Sequence, residues 1–160
     1  MTDKIYAFSR RTVEALRRAM QVLLRESGAK STLIIDRSGY VVCSSGTFSS
    51  MRARDLGVMA AATFTALRTM VDVADSEELS IRFHSRNVEK IFFAVLNERT
   101  FLMVLYDTTT AGRRVREAAR AFVQSVRRSL TAQRRARKQM KPIPSLAKDF
   151  ERIFRRKTRY

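Results

Sequence analysis

The chain has 160 residues and an apolar fraction of 45%, enough for one compact domain with an ordinary core, which excludes wholesale disorder. Lys and Arg number 32 against 15 Asp and Glu, and the resulting charge of +17 favours an acidic partner surface, be it protein, anionic lipid or nucleic acid. A lone Cys43 excludes an intramolecular disulfide, and with neither a signal-like apolar stretch at the start nor a spanning run of ~20 apolar residues the chain reads as soluble and cytoplasmic.

The first periodic segment runs from Ser9 to Glu26. Val13, Leu16, Met20, Leu23 and Leu24 recur at three- and four-residue steps, which gives a helix with one apolar face, and Gly28 is placed to end it. Thr32–Asp36 and Tyr40–Ser44 are short β-rich runs around an Asp36-x-x-Gly39 turn and predict a hairpin, with Gly39 supplying the positive φ. A second helix is predicted over Ala53–Ala74, with Leu56, Met59, Ala60, Thr63, Leu67, Met70 and Val71 as its stripe. Val58, Ala61, Ala62, Thr65 and Ala66 leave the remaining surface small and weakly polar, and no charged residue falls between Leu56 and Leu67. A surface helix of a monomer normally shows a charged face, so this one is expected to be covered on more than one side, most simply by a second copy of the chain.

Three strands follow. Glu78–His84 alternates, with Leu79, Ile81 and Phe83 on one side, and suits a sheet edge; Lys90–Leu96 and Phe101–Tyr106 are apolar on both sides and suit a sheet centre. A last helix over Gly112–Leu130 has Val115, Ala118, Ala119, Phe122, Val126 and Leu130 as its buried stripe and a surround of arginines, read by default as a solvated face. The domain is therefore expected to span residues 1–132. Residues 133–160 carry 11 Lys and Arg against Asp149 and Glu151 and read as a basic linker, broken by Pro142 and Pro144. Beyond the prolines lies a short amphipathic helix with Leu146, Phe150, Ile153 and Phe154 on one side and Arg152, Arg155 and Arg156 beside them. Such a peptide fits a partner groove, an anionic membrane or nucleic acid, and Phe150 and Phe154 on one face suit a groove or membrane better than base stacking.

Catalytic signatures are missing. The five glycines form no phosphate-binding loop, and His84, the single histidine, permits no His-based triad or multi-histidine metal site. Cys43 reads as a small apolar filler, and Asp36 and Asp107, at strand ends, as acceptors for turn amides. The expectation is a protein that is not an enzyme, uses no cofactor and takes no small-molecule substrate.

The order of elements now carries specific residues. Gly28-Ala-Lys-Ser-Thr-Leu-Ile-Ile-Asp-Arg-Ser-Gly-Tyr-Val-Val, the small-residue helix around Val58–Ala66, and Phe92-Phe-Ala-Val-Leu with Leu102-Met-Val-Leu together resemble the roadblock (dynein light-chain) family over about Val13–Leu130. The resemblance implies an α+β, three-layer α/β/α fold of roadblock-like or profilin-like type: a five-stranded antiparallel sheet with the first and last helices on one face and the middle helix on the other. It also implies a homodimer in which Leu79, Ile81 and Phe83 lie on a pairing edge strand while Leu56, Met59, Ala60, Thr63 and Leu67 lie on paired middle helices. Family members are adaptors and regulators of Ras-like small GTPases or scaffold subunits, so a Ras-like GTPase is the implied partner and Arg52, Arg54 and Arg68 are candidate contacts. A guanidinium can stabilise the charge that develops in phosphoryl transfer, although exposed arginines are ordinarily solvated charges of small individual effect.

Overall fold

A computed structural model describes residues 8–47, 50–70, 78–83 and 89–139. Along the chain run α1 (Arg10–Ser27), β1 (Ser31–Asp36), β2 (Val41–Gly46), α2 (Ser50–Met70), β3 (Glu78–Phe83), β4 (Glu89–Val95), β5 (Thr100–Asp107) and α3 (Gly112–Gln139). The strands lie in the order β2-β1-β5-β4-β3, and every neighbouring pair is antiparallel. His84, Val71 and the short helix expected around Leu146–Arg156 lie outside the described residues.

Local chemistry sets the limits of α1. Ser9 is its N-cap: its Oγ accepts from the Thr12 amide at 3.2 Å, satisfying a donor that the first turn would otherwise leave open. Gly28 closes the helix with φ 72°, and its N–H donates to the Leu24 carbonyl at 2.9 Å. Leu16, Met20 and Leu23 are buried between these limits. The hairpin that follows is held by backbone and side-chain bonds together. Gly39 N–H donates to the Asp36 carbonyl, Asp36 N–H to the Tyr40 carbonyl, and Asp36 Oδ1 accepts from the Ser38 amide, each at 2.8 Å.

Alternation along β1, β4 and β5 splits the core in two. On one face Leu33, Ile35, Phe93, Phe101 and Met103 pack with Ala53, Ala60, Ala61 and Phe64 of α2. Phe64 stacks on Phe101 with ring centroids 4.5 Å apart and 9° between planes, and Phe93 meets both rings, at 5.9 and 5.8 Å. Aromatic contacts of this kind contribute about 0.5–1.5 kcal/mol each beyond area burial. On the other face Cys43, level with Ile34 in the β1–β2 register, donates from Sγ to Met20 Sδ of α1 at 3.4 Å. Gly112 of α3 lies against Tyr106, and Val115 and Ala119 are fully buried. The α1 and α3 helices therefore share this face.

The arginines of α3 do more than coat a surface. Arg114 Nε donates to the Glu26 carbonyl at 2.6 Å, and Arg127 donates from Nε to Leu96 O and from Nη2 to Val95 O, at 3.1 and 2.8 Å. Arg120 grips Glu78, the first residue of β3, through both carboxylate oxygens at 2.7 and 3.1 Å. A second departure from the sequence reading is the length of α3. The stretch from Gln133 expected to be linker is helical to Gln139, because Arg, Lys, Gln and Ala are good helix formers even where no apolar stripe is present. The chain divides into two compact units, Met1–Arg127 and Arg128–Tyr160.

The α2 helix meets the hairpin at backbone distance. A Cβ on Gly57 would sit 2.5 Å from Val41 Cγ2 and 2.7 Å from the Gly39 carbonyl oxygen, and one on Gly39 would sit 3.0 Å from Val58 Cα. Gly57→Ala is therefore expected to destabilise the fold by about 1–3 kcal/mol through overpacking, although Ala gains ~1 kcal/mol over Gly in an open helix. A urea titration reads the change; a raised midpoint would place the helix and the turn farther apart than described.

Burial pushes the Cys43 thiol up to about 11 from an ordinary 9.0, with Arg17 opposing weakly. At pH 8 the native thiolate fraction falls about a hundredfold, so a disulfide reagent should label Cys43 far more slowly in the folded chain than in urea. Because the folded state holds the proton more tightly, stability is full below pH 9 and declines as pH rises towards 11. Fast native labelling at pH 8 would contradict this placement.

Candidate functional site

The α2 helix buries one face and presents another. Ala53, Gly57, Ala60, Ala61 and Phe64 recur at three- and four-residue steps and face the sheet. Val58 and Met59 point outward, 62% and 65% exposed, beside exposed Ala62, Thr65, Ala66 and Thr69. Three of the four large apolar side chains exposed in the described residues, Tyr40, Val58 and Met59, stem from this helix and the hairpin turn at its side. Two of the helix hydroxyls are satisfied internally: Thr63 donates to Met59 O at 2.8 Å and Thr69 to Thr65 O at 3.0 Å. From Val58 to Leu67 the outer face is thus uncharged and weakly polar, and exposed Asp55 bounds it towards the start of the helix.

The expected interface residues of α2 do not share one surface. Met59 is exposed, Leu56, Thr63 and Leu67 are half-buried, and Ala60, only 5% exposed, belongs to the protein's own core. The stripe inferred from the sequence is rotated from the real inward face, and it omits Phe64, the largest side chain on that face. A helix apolar or small on almost all sides carries little phase information. Val58, set aside in the sequence as part of the remaining surface, is one of its two most prominent outward apolar groups.

Strand β3 forms one edge of the sheet. Its backbone sets Leu79 opposite Phe93, Ile81 opposite Ile91 and Phe83 opposite Glu89, with β4 as its single neighbour in the sheet order. Among the described residues, one ladder of its backbone groups is thus left for a further strand.

The candidate arginines fall into two places. Arg52 and Arg54 are exposed in the first two turns of α2, whereas Arg68 is exposed near its end, 14 residues beyond Arg54 and so about 21 Å along the axis. Arg68 stands with its guanidinium 5.8 Å from the centroid of the Phe64 ring and joins Arg37, Thr65 and Thr69 around an open cleft of about 310 Å3. Arg37, on the hairpin turn, was not singled out by sequence; an exposed arginine in a polar turn gives no signal of its spatial neighbour.

Other titratable groups have structural duties. Asp107 Oδ1 accepts from the Thr109 amide at 2.9 Å and from the Thr109 hydroxyl, and its Oδ2 lies 3.4 Å from Lys30 Nζ. The Thr109 hydroxyl, the largest influence, holds its carboxyl below the usual range; desolvation, second in size, opposes it, and the Thr109 amide and Lys30 add to the lowering. Both strand-end carboxylates, Asp36 and Asp107, thus bond turn amides as their sequence context indicates. Among the described residues there is no group of three or more His, Cys, Asp or Glu able to hold a metal ion, and no helix is long and apolar enough to cross a membrane.

Comparison with known proteins follows from this geometry. A family model described as the Roadblock/LC7 domain matches residues 18–106. A structure described as MglB with tetrameric arrangement superposes with a TM-score of 0.66 at 17% identity, covering 76% of this chain and 92% of that one. The gliding protein MglB from Thermus thermophilus gives 0.66 at 17% identity, with 76% and 93% covered. A Roadblock/LC7 domain from Streptomyces avermitilis gives 0.63 at 18%, with 72% and 97% covered. At these identities the likeness is one of fold. No curated protein gives a significant match.

Proposed function

Because the chain belongs to the Roadblock/LC7 family, we propose that it is a non-catalytic, homodimeric regulator or scaffold for a Ras-like small GTPase, working in the cytoplasm. The observation that carries this reading is the outer face of α2. Val58 and Met59 are well over half exposed in the middle of a stretch from Leu56 to Leu67 without a charge. Contiguous exposed apolar surface of this kind is characteristic of an interaction site.

A second copy supplies the natural cover. A two-fold axis beside α2 would set the apolar face against its own equivalent, since an isologous contact requires a self-complementary patch. The same operation could pair β3 with β3, extending the sheet and removing an exposed edge. Leu79, Ile81 and Phe83 are assigned to that pairing strand, and Met59 with half-buried Leu56, Thr63 and Leu67 to the helix contact. Ala60 acts indirectly, by seating α2 on the sheet. The tetrameric arrangement described for one MglB structure supports self-association as a habit of this fold.

The GTPase partner rests on what the family resemblance implies. In this reading the partner holds the nucleotide and supplies the chemistry, which agrees with the lack of a phosphate loop in this sequence. Arg52 lies in the first turn of α2 and Arg54 just beyond it, both exposed, and they are assigned to an anionic surface of the partner. Arg68 and Arg37 offer a second cationic point about 20 Å away by helix rise.

Light scattering on the full chain tests the dimer. Wild type should run as a dimer. Met59→Arg and Val58→Arg should give folded monomers with native circular dichroism and a midpoint lowered only by the lost association, because both side chains are exposed in the single chain. A monomeric wild type, or dimers unaffected by both changes, would refute the arrangement. Binding to purified Ras-like GTPases loaded with GDP or a non-hydrolysable GTP analogue tests the partner. Nucleotide-dependent binding, weakened by Arg52→Glu with Arg54→Glu, is expected; binding indifferent to the nucleotide would overturn the GTPase assignment.

A further inference from the structure

The sheet face opposite α2 holds a second surface that the proposed regulator role leaves unused. Between α1 and α3 runs a groove of about 590 Å3, with Ala19, Val22 and Leu23 on one wall and Ala118, Ala121 and Phe122 on the other. Val22 is 46% exposed, the fourth of the large apolar side chains exposed in the described residues. The small residues open the groove: alanines at three of its six apolar positions leave room where larger side chains on both helices would have closed the contact.

Its charged groups are already engaged, and Ser125 is the one further polar residue of its lining. Arg114 bridges to the Glu26 carbonyl, Glu117 pairs with Arg113 at 2.9 Å, and Glu26 lies 3.7 Å from Arg25. No convergent set of unsatisfied donors and acceptors is left to orient a small polar ligand, which argues against a metabolite site. The groove is a channel between two helices rather than a protruding apolar face, which suits inserted side chains better than insertion into a bilayer.

Charge selects the occupant. The groove's own lining holds Glu26 and Glu117 beside Arg114, and the two carboxylates are paired with Arg25 and Arg113, so the charge offered to an occupant comes from the flank of α1. Arg11, Arg18 and Arg25 are spaced by seven residues, and two helical turns place them one above another along the flank of α1 beside Val22. An apolar channel with a row of cations along its rim is complementary to an amphipathic helix with apolar residues at i, i+3, i+4 and i+7 and carboxylates beside them. The same row disfavours this chain's own basic segment from Gln133 to Tyr160, whose 11 Lys and Arg outnumber its two carboxylates.

We propose that the α1–α3 groove is a docking site for an acidic amphipathic helix of a partner protein. The site is separate from α2 and β3, so a chain paired through those elements keeps it available.

Fluorescence anisotropy on the full chain provides the test. The probe is a labelled, hydrocarbon-stapled helical peptide of about 18 residues with leucines at the i, i+3, i+4, i+7 positions and glutamates on both flanks. A control peptide carries lysines in place of the glutamates. The acidic peptide should bind saturably and at least about tenfold more tightly than the basic one. Val22→Glu and Ala121→Glu should each weaken it about tenfold, and Arg18→Glu severalfold, with unfolding midpoints preserved because all three side chains are exposed. Met59→Arg on the opposite helix should leave binding intact even where it abolishes the dimer, which separates this site from the proposed α2 interface. Equal affinity for both peptides, indifference to both Val22→Glu and Arg18→Glu, or binding confined to phosphatidylglycerol vesicles would each overturn the proposal.

Discussion

The approach of α2 to the β1–β2 turn, with Gly57 against Val41 and the Gly39 carbonyl and with Gly39 against Val58, is the constraint from which the organisation of this domain follows. Two glycines without Cβ atoms let a helix backbone rest on a turn backbone. Because the helix lies that close, Phe64 reaches down to stack on Phe101 and Phe93, and the core on this side can be built from three aromatic rings and small alanines. The same approach fixes the rotation of α2 about its axis. Val58 follows Gly57 immediately and is carried to the outside together with Met59, so the seating of the helix and the composition of its free face have one origin.

The two helical layers solve the problem of a single sheet with two apolar faces differently. On the α2 side one helix with small residues covers the sheet and leaves an apolar exterior. On the other side α1 and α3 have clear amphipathic stripes and highly charged exteriors, and two arginines of α3 bond to main-chain carbonyls. The fork of Arg127 over the Val95 and Leu96 carbonyls and the contact of Arg114 with Glu26 O show guanidinium groups satisfying strand and helix ends. Part of the large positive charge therefore belongs to the architecture, and only the remainder is available for partners.

Sequence patterning was most informative where one physical signal dominated. In α1, Ser9, the Leu16–Met20–Leu23 spacing and Gly28 mark start, face and end, and all three agree with the structure. The Asp36-x-x-Gly39 turn was equally legible, since its carboxylate and its positive φ of 91° are local requirements. The inward face of α2 was not, because Ala, Gly, Thr and Met are compatible with either side, and the deciding contacts of Gly57 come from a turn well before it in sequence. The extent of α3 was missed for a different reason: the apolar periodicity ends at Leu130, whereas helical propensity continues through Arg134–Lys138. Spatial grouping, such as Arg37 with Arg68, left no trace in the sequence.

The bidentate hold of Arg120 on Glu78 joins the start of the edge strand to a helix packed on the face away from α2. Strands β1 and β5 are secured by a dry interior, which dissolved ions cannot reach. The end of β3, in contrast, is held in part by two charges in contact with solvent, whose attraction falls as the screening length shrinks from ~8 Å at physiological ionic strength to ~3 Å in ~1 M salt. The sheet is thus graded, with a centre indifferent to electrolyte and a margin whose firmness is tuned by the surrounding medium.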